Sequence, residues 1–348
     1  MLNDIVKPLT EWYRQNKRSL PWRDRHNAYY TWVSEIMLQQ TRVEAVKPYF
    51  RRFTEELPDP AALAECPEEK LLKLWEGLGY YNRVRNMQIA AQTVVEEYDG
   101  VLPASYEKLL SLKGIGSYTA GAIASIAYDI PVPAVDGNVL RVITRIIEDD
   151  GDIMKQSVKK RIENKLQEIM PGEYPGDFNQ ALMELGAVVC VPNGEPKCDV
   201  CPVAFCCGAR AHGTIDRFPV KAQKKDRKLE DRTVLVIQDG EKTAIRRRPS
   251  RGLLAGLYEL PNLKGHLSEK EVLESVKAMD LEPLRIEALP EAKHIFSHIE
   301  WRMTAYRVRV SSLEEIRQND LLFVGKRQSD DQYAIPSAFS AYTKYIRE

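Results

Sequence analysis

Four cysteines near the middle of the chain carry the clearest chemical signal in the sequence. Cys198-Asp-Val-Cys201-Pro is a C-x-x-C-P run, with Cys190 before it and Cys207 after it. Four thiolates brought together by short loops are the ligand set of a [4Fe–4S] cluster. Zinc accepts the same ligands and stays open as an alternative on spacing alone. Disulfides are disfavoured, because nothing else in the chain indicates secretion.

Two carboxyl groups sit where they can act on a bond. Asp136 ends the proline-rich loop Pro131-Val-Pro-Ala-Val-Asp136-Gly-Asn138, just before a helical segment. An aspartate there is a common N-cap, and an exposed one also stabilises positive charge on a sugar when a glycosidic bond breaks. Glu35 lies among apolar residues of a second helical segment. The pattern alone leaves it either on a solvated face or in a partly dry pocket.

A glycine-rich turn joins two helical segments at Leu112-Lys-Gly114-Ile-Gly116-Ser-Tyr118. Glycines there allow positive φ and leave backbone N–H groups bare at the start of the following helix. An anion such as a DNA phosphate binds in such a place. The alternative is an ordinary turn between helices.

Hydrophobic periodicity predicts the elements that position these residues. Residues 1 to about 215 show apolar spacing of three to four, which predicts an all-α module. The predicted helices are Ile5 to Gln15, Tyr29 to Gln40, Val43 to Glu56, Val84 to Glu97, Thr119 to Tyr128, Val139 to Glu148, Ser157 to Met170 and Phe178 to Val189.

A polar, charged stretch at residues 216–232 indicates a linker, and the residue pattern changes after it. Residues 233–348 alternate β-rich runs with turns and predict a smaller α+β domain. Its predicted strands are Thr233–Ile237, Thr243–Ile245, Leu257–Leu260 and Met303–Val310. Its predicted helices are Ser268–Met279, with a Ser268/Glu271 capping box, and Ser337–Ile346.

Composition limits the class of protein. The chain has 348 residues, of which 44% are hydrophobic, and its formal net charge is zero. These values predict a soluble, cytoplasmic protein with two domains and substantial cores, and a monomer is the default expectation. Because no overall positive charge attracts nucleic acid, local patches and backbone donors must hold any such partner.

The motifs together resemble the helix-hairpin-helix DNA glycosylases that carry a Gly/Pro-rich loop and an aspartate, often with an iron–sulfur loop. The resemblance covers nearly all of residues 1–215, with the hairpin at about 105–125 and the cysteine loop at 190–207. The family usually separates its cysteines by six, two and five residues, whereas Cys190 and Cys198 enclose seven here. Cys206, beside Cys207, is a competing ligand.

The segment Ser34-Glu35-Ile-Met-Leu-Gln-Gln-Thr-Arg42 resembles the adenine DNA glycosylase branch, MutY. There the matching glutamate is a general acid that protonates adenine at N7, so the resemblance favours a dry pocket for Glu35. It implies that Asp136 stays ionised and that Asn138 orients Asp136 or the water. Tyr118 replaces the lysine of members that also cut the backbone, which implies a monofunctional enzyme that leaves an abasic site.

The resemblance also implies residues that handle the base and the duplex. Trp22 and Arg23 match the adenine-pocket segment, as a wall and a polar contact, and Gln180 matches a position near that pocket. Gln39, Gln40 and Tyr80 match residues that fill the stack when a base is flipped out. Thr41 matches a lesion contact.

The C-terminal region resembles the Nudix-like domain of bacterial adenine glycosylases. The metal-binding R-E-x-x-E-E pattern of a working Nudix hydrolase is missing from the sequence between Gly252 and Glu274. The resemblance therefore implies recognition of 8-oxoguanine by Phe296, Ser297 and His298. The alternative is a strand end with a satisfied histidine.

The implied activity is excision of adenine opposite 8-oxoguanine or guanine in duplex DNA. A second hypothesis is a mismatch thymine or uracil glycosylase on the same scaffold, although a pyrimidine has no N7 to protonate. A third is a non-catalytic iron–sulfur DNA-binding protein. A nucleotide pyrophosphatase is disfavoured by the missing metal-binding helix.

Overall fold

The protein divides into two compact units in the computed structural model, which describes residues 2–23, 27–222, 226–240, 242–311 and 320–347. The first unit consists of Met1–Cys66 and Asn82–Gln223. The second consists of Pro67–Tyr81 and Lys224–Glu348.

Helices joined by tight turns make up the described residues as far as Ala211, and α5 among them belongs to the second unit. In chain order they are α1 (Val6–Asn16), α2 (Ala28–Leu38), α3 (Val43–Glu56), α4 (Pro60–Glu65), α5 (Glu68–Leu74), α6 (Asn82–Glu97), α7 (Tyr106–Ser111), α8 (Ser117–Tyr128), α9 (Gly137–Ile147), α10 (Gln156–Gln167), α11 (Pro175–Val188) and α12 (Gly208–Ala211).

Periodicity correctly predicted the longer helices and missed the short ones. The eight predicted segments correspond to α1, α2, α3, α6, α8, α9, α10 and α11. Helices α4, α5 and α7 have 6, 7 and 6 residues, and fewer than two turns show no readable period.

The G-x-G turn before α8 differs in part from the prediction. Gly114 has φ +79°, and a Cβ there would stand 2.7 Å from the Cβ of Asn86, so both conformation and space require glycine. Gly116 was also expected to provide positive φ, but it is the extended N-cap of α8 with φ −95°. Its place at the N-cap still leaves the first N–H groups of α8 without helical partners.

One core of the first unit packs α1, α9, α10 and α11 together. Buried Leu9, Ile143, Ile162 and Leu185 belong to it, and the cysteine loop packs against its edge through Cys190 and its neighbours. Among the helices of the described chain, not one combines the length and apolar content needed to cross a bilayer.

A mixed sheet forms the centre of the second unit. Its described strands are β1 (Lys228–Asp239), β2 (Lys242–Arg247), β3 (Tyr258–Glu259), β4 (Asn262–Lys264), β5 (Pro283–Ile295), β6 (Ile299–Val310) and β7 (Leu321–Val324). They run in the order β3-β2-β1-β6-β5, with β4 beside β1 and β7 beside β2. Strands β1 and β6 are parallel, and the other pairs are antiparallel.

Alternation along β1 buries both faces of the sheet. Val234 and Val236 face one core, and Leu235 and Ile237 face the other. The helices that cover the sheet are α13 (Glu269–Lys277), α14 (Lys326–Gln332) and α15 (Ser340–Arg347). The capping box predicted at Ser268 is confirmed. Strands β4, β5 and β7 were not predicted.

The segment Pro67–Tyr81 belongs to the second unit, where its side chains bond to backbone groups, although the sequence interpretation assigned it to the helical domain. Lys73 Nζ donates to the carbonyl oxygens of Ser329 and Tyr333, at 3.2 and 3.0 Å. The Ile335 amide donates to Glu76 Oε1 at 2.8 Å. These contacts span more than 250 residues of sequence, which no local pattern reveals.

The predicted linker at 216–232 is structured at both ends. The carbonyl of Phe218 accepts from Arg145 Nε at 3.1 Å, and that of Val220 accepts from the Ile153 amide at 3.1 Å. Strand β1 already begins at Lys228. The polar composition suggested a linker. It could not show that backbone groups at the ends of this stretch form hydrogen bonds.

Candidate active site

Glu35 lies in α2 and is only 6% exposed. The helix begins where the Asn27 side chain accepts from the Tyr30 amide, and eight residues between Tyr29 and Met37 are buried. The hydroxyl of Tyr118, in α8, donates to Glu35 Oε2. Burial raises the pKa of Glu35 to about 7, although the Tyr118 hydrogen bond opposes the rise and the charge of Asp136 adds to it.

Asp136 is the N-cap of α9, so the structural interpretation of this aspartate is correct, and it is compatible with a chemical role. Its Oδ1 accepts from the Val139 amide at 2.7 Å, and its Oδ2 accepts from Asn138 Nδ2 at 2.6 Å. Burial raises the pKa of Asp136, and these two donors offset part of the rise. Besides burial, the charge of Asp136 raises the pKa values of both Tyr118 and Glu35, as expected for groups near one another.

Arg141, which the sequence interpretation missed, links this loop to the cysteines. Its Nη2 donates to Asn138 Oδ1 at 2.9 Å and to the Gly186 carbonyl at 2.7 Å. Its Nε donates to the Cys190 carbonyl at 2.8 Å. Buried Arg141 therefore orients Asn138, which in turn holds Asp136. An arginine within the apolar run of α9 was the available signal.

Arg23 lies in the turn before α2 and is held by Glu184 of α11, another residue that was not predicted. Arg23 Nη2 donates to Glu184 Oε2 at 2.7 Å. The charge of Arg23 also acts on Glu35, where it opposes the rise in pKa. Trp22 is buried and packs edge-on against Phe50, with ring centroids 5.4 Å apart.

The predicted wedge residues of this unit follow the end of α2. Gln39 is its C-cap, and Gln40 is exposed with φ +61°. Arg83 Nη1 donates to the carbonyls of Ile36 and Gln39, at 2.6 Å each, which fixes the end of the helix. The Thr41 amide follows with a 3.2 Å bond to the Leu38 carbonyl.

The hydrogen bond of Gln180 does not connect it to the proposed base pocket. Its Nε2 donates to the Gly176 carbonyl of its own helix at 3.3 Å. That bond does not join it to the carboxyls.

The four predicted cysteine ligands line one pocket, whose apolar wall includes Val142 and Leu185. Cys206 is not part of that lining, and its Sγ contacts the Val203 carbonyl at 3.5 Å. Arg145 Nη1 donates to Cys190 Sγ at 3.2 Å. The extra residue before Cys198 falls in an exposed turn where Gly194 has φ +75°.

The cysteine pocket offers soft sulfur ligands. Across residues 2–23, 27–222, 226–240, 242–311 and 320–347, no three His, Cys, Asp or Glu side chains converge on the position of a single ion. The four thiols that line the pocket are the donor set of a [4Fe–4S] cluster, in which each thiolate binds a different iron.

Tyr80 and the Phe296-Ser297-His298 turn meet in the second unit. The turn joins β5 to β6, and both Ser297 and His298 are exposed. Tyr80 is 48% exposed, and its hydroxyl lies 3.0 Å from Ser297 Oγ. The Phe296 ring packs against buried Trp301, with centroids 5.0 Å apart. Tyr80, predicted to fill the base stack, therefore contacts Ser297, predicted to bind 8-oxoguanine.

Two known protein families match separate parts of the chain. Residues 33–171 match the HhH-GPD superfamily base excision DNA repair protein family, and residues 233–345 match the NUDIX domain. The chain is 37% identical to the adenine DNA glycosylase of Mus musculus, over 86% of this chain and 69% of that protein. It is 31% identical to the adenine DNA glycosylase of Buchnera aphidicola subsp. Acyrthosiphon pisum, over 87% of this chain and 86% of that protein.

The chain belongs to the adenine DNA glycosylases. It is a DNA N-glycosylase of base excision repair that acts on adenine, and DNA is its partner. The helical unit is similar to a thermostable thymine-DNA glycosylase, with a TM-score of 0.54 and 25% identity over 60% of this chain and 96% of that one. An endonuclease III in complex with DNA shares the fold, with a TM-score of 0.52 and 24% identity over 61% of this chain and 98% of that one.

Proposed function

We propose that this adenine DNA glycosylase excises adenine opposite 8-oxoguanine or guanine, with Glu35 as the proton donor and Asp136 as the stabilising anion. The observation that carries the proposal is the state of Glu35. Its carboxyl is buried, contacts Tyr118 and has a pKa of about 7, so much of it holds a proton at neutral pH.

The chemistry follows from these two carboxyls. The proton of Glu35 moves to N7 of the flipped adenine, and the bond between C1′ and N9 breaks with its electrons going to the base. Asp136, held by Val139 and Asn138, faces the positive charge that develops on the sugar. Water then adds to C1′, and its proton returns to Glu35. Neutral adenine leaves, and an abasic site remains.

Tyr118 supports a monofunctional enzyme. Its hydroxyl is engaged with Glu35, and a phenol cannot form the Schiff base that precedes backbone cleavage. Borohydride should therefore trap no covalent imine with substrate DNA. Trapping as efficient as that of a true lyase would contradict this assignment.

Several surfaces of the two units suit duplex DNA. The N-terminus of α8, behind Gly114 and Gly116, offers bare N–H groups to a phosphate. Gln39 and Gln40, at the end of α2, suit the gap left by an everted base. Trp22 and Gln180 complete the predicted base pocket.

Recognition of 8-oxoguanine is assigned to residues that present aromatic surface and polar atoms together. Phe296 supplies apolar surface, and exposed Ser297 and His298 can supply a donor for O8 and an acceptor for N7–H, the two groups that distinguish the lesion. Tyr80 adds an exposed ring beside Ser297. Thr41 is the corresponding contact on the helical unit.

We propose a [4Fe–4S] cluster held by Cys190, Cys198, Cys201 and Cys207. The shared pocket supports this ligand set, and it favours Cys207 over Cys206. A bound cluster adds a cross-link between the loop and the core and carries one-electron redox chemistry. Four irons per chain with absorbance in the visible-blue range are expected, and stoichiometric zinc would reject the assignment.

One experiment tests the activity. Duplexes with adenine opposite 8-oxoguanine, adenine opposite guanine and thymine opposite guanine are incubated with protein, and abasic sites are then cleaved with alkali. Strand breaks are expected at the two adenine duplexes, and Glu35→Gln and Asp136→Asn should each lose about 10²-fold or more in rate. Thymine release would favour the mismatch pyrimidine hypothesis, and full activity of Glu35→Gln would sink the mechanism.

A further inference from the structure

Glu184 of α11 is a second deeply buried carboxylate in the catalytic unit, with a side chain only 1% exposed. Arg18 donates to it through Nε at 2.6 Å, through Nη2 at 3.1 Å and through its backbone N–H at 3.2 Å. Arg23 Nη2 adds a bond at 2.7 Å. One carboxylate thus accepts from two guanidinium groups, and the fork of Arg18 is bidentate.

The charges within this group do not cancel. Burial by itself raises the pKa of Glu184, but hydrogen bonds and charges from Arg18 and Arg23 outweigh it and lower the pKa to about 2. The carboxylate is therefore ionised at neutral pH. Two guanidinium charges against one carboxylate leave a net positive charge at this place.

Arg23 links Glu184 to the proposed proton donor, Glu35. It is held from a second side, because its Nη1 donates to the Arg18 carbonyl at 3.1 Å, and it lies over the Tyr13 ring at 5.5 Å. A guanidinium has five N–H donors, so donors remain for a substrate. Charged and titratable groups that act on Glu35 are Tyr118 from α8, Asp136 at the N-cap of α9 and Arg23.

We propose that Glu184 is a positioning residue of the active site: it holds Arg23 where the guanidinium acts on Glu35 and serves the flipped adenine, and it neutralises part of the charge that Glu35 experiences. The inference rests on the proposed function, because it takes Glu35 as the proton donor. A merely structural ion pair would stabilise the fold and leave the protonation of Glu35 unchanged.

The test is the pH dependence of the single-turnover rate on a duplex with adenine opposite 8-oxoguanine. The rate should fall as pH rises through the pKa of Glu35. In Glu184→Gln the amide keeps the shape and one acceptor but removes the negative charge, so Arg23 opposes protonation of Glu35 more strongly. The basic limb should move to lower pH by about one unit, which makes the variant about tenfold slower at pH 8.

A double-mutant cycle separates positioning from folding. Arg23→Gln alone should move the basic limb to higher pH, and Glu184→Gln should cause no further shift in that background. Asp177→Asn is the matched control, because Asp177 also lies on α11 and pairs with an arginine of α1, Arg14, at 2.8 Å. Its limb should coincide with that of the wild type.

The proposal is overturned if the limb of folded Glu184→Gln stays at the wild-type pH or moves upward. Circular dichroism establishes folding, and if that variant does not fold, an unmoved limb in Arg23→Gln overturns the proposal instead. Failure of the proposed function has a different signature, since Glu35→Gln would then keep the wild-type rate. With Glu35→Gln inactive and no coupling in the cycle, only the role of Glu184 fails.

Discussion

Two buried glutamates of the same unit are driven in opposite directions by their partners. Glu35 on α2 is 6% exposed, and Glu184 on α11 is 1% exposed. The pKa of Glu35 rises to about 7, because burial is opposed mainly by a neutral hydroxyl and reinforced by the charge of Asp136. The pKa of Glu184 falls to about 2, because two arginines outweigh the burial. Burial therefore does not decide protonation until the partners are known.

Glu35 therefore suits proton transfer, whereas Glu184 suits a permanent ion pair. A carboxyl that holds its proton near pH 7 can donate it, whereas one with a pKa near 2 stays an acceptor for guanidinium groups. The same contrast implies opposite effects of pH on stability at the two positions.

Loss of the Glu184 carboxylate should have the largest effect on stability. Glu184→Ala leaves Arg18 and Arg23 without their anion, which should lower the free energy of unfolding by about 3–5 kcal/mol at pH 7. Denaturant unfolding measures the change, and Asp177→Asn, in a more accessible ion pair, should cost only about 0–1 kcal/mol. The pKa of Glu184 is lowered, so its contribution is full above about 4.5 and is lost as pH falls toward about 2. An equal loss of unfolding free energy in Glu184→Ala and Asp177→Asn would contradict the special role of the Glu184 ion pairs.

Removal of the titrating group at Glu35 should stabilise the protein at alkaline pH. The folded pKa of about 7 exceeds the ordinary 4.5, so the wild type loses stability as pH rises through this window. Glu35→Gln keeps a neutral side chain and should gain on the order of 3 kcal/mol at pH 8 and little at pH 4. Chemical unfolding at both pH values measures this, and a gain independent of pH would argue against the raised pKa.

Arg141→Met should slow excision without moving the pH limb. The variant removes the donors to Asn138, Gly186 and Cys190, so the amide that holds Asp136 loses its support. We expect about a tenfold loss in single-turnover rate, as small misplacements of a catalytic group are costly. Arg161→Met, which removes an exposed ion pair with Asp149, is the control. A shift of the basic limb would mean that Arg141 acts on Glu35 as well.

Tyr118→Phe should move the basic limb of the rate to higher pH. The hydroxyl favours the ionised carboxylate, so its removal raises the pKa of Glu35 further. A shift of up to about one unit is expected. Tyr128→Phe is the control on the same helix, because its hydroxyl donates to the Leu102 carbonyl. A limb displaced to lower pH would contradict the assigned hydrogen bond.

Ser297→Ala should have the smallest effect. It removes one polar contact with Tyr80 and one proposed hydrogen bond to the lesion, so the preference for 8-oxoguanine over guanine should fall a few-fold, or about 1 kcal/mol. Competition between the two duplexes measures it, and Ser275→Ala on α13 is the control. The pKa values of Glu35 and Glu184 should stay unchanged. A shift in the basic limb of the rate would show that Ser297, in the second unit, also affects the protonation of Glu35.

Local chemistry made part of this molecule predictable. The long helices follow from apolar periodicity, Asp136 from N-cap preference, and the Ser268 capping box from its two residues. The cysteine spacing indicated a shared ligand pocket. Short helices and the edge strand β5 were missed, because few residues or weak alternation carry no readable period. Positive φ was wrongly expected at Gly116, because the G-x-G pattern does not say which glycine adopts it.

Long-range pairing explains what remained hidden. Glu184 meets Arg18 across 166 residues, and Lys73 meets Tyr333 across 260. Glu35 and Glu184 both stand as single acids within apolar helical runs, so their sequences look alike. The resemblance to adenine glycosylases implied a dry pocket for Glu35 and contained no statement about Glu184.

The amino-acid sequence by itself determined the helix periods, the caps, the four-thiol spacing and the presence of two acids suited to glycosidic chemistry, since each depends on neighbours within a few residues. The tertiary structure alone decided which buried glutamate keeps its proton, which arginines hold Asn138 and Glu184, and that Tyr80 meets Ser297. Protonation and positioning depend on charges and donors brought within a few ångströms by folding, and sequence order does not record that distance.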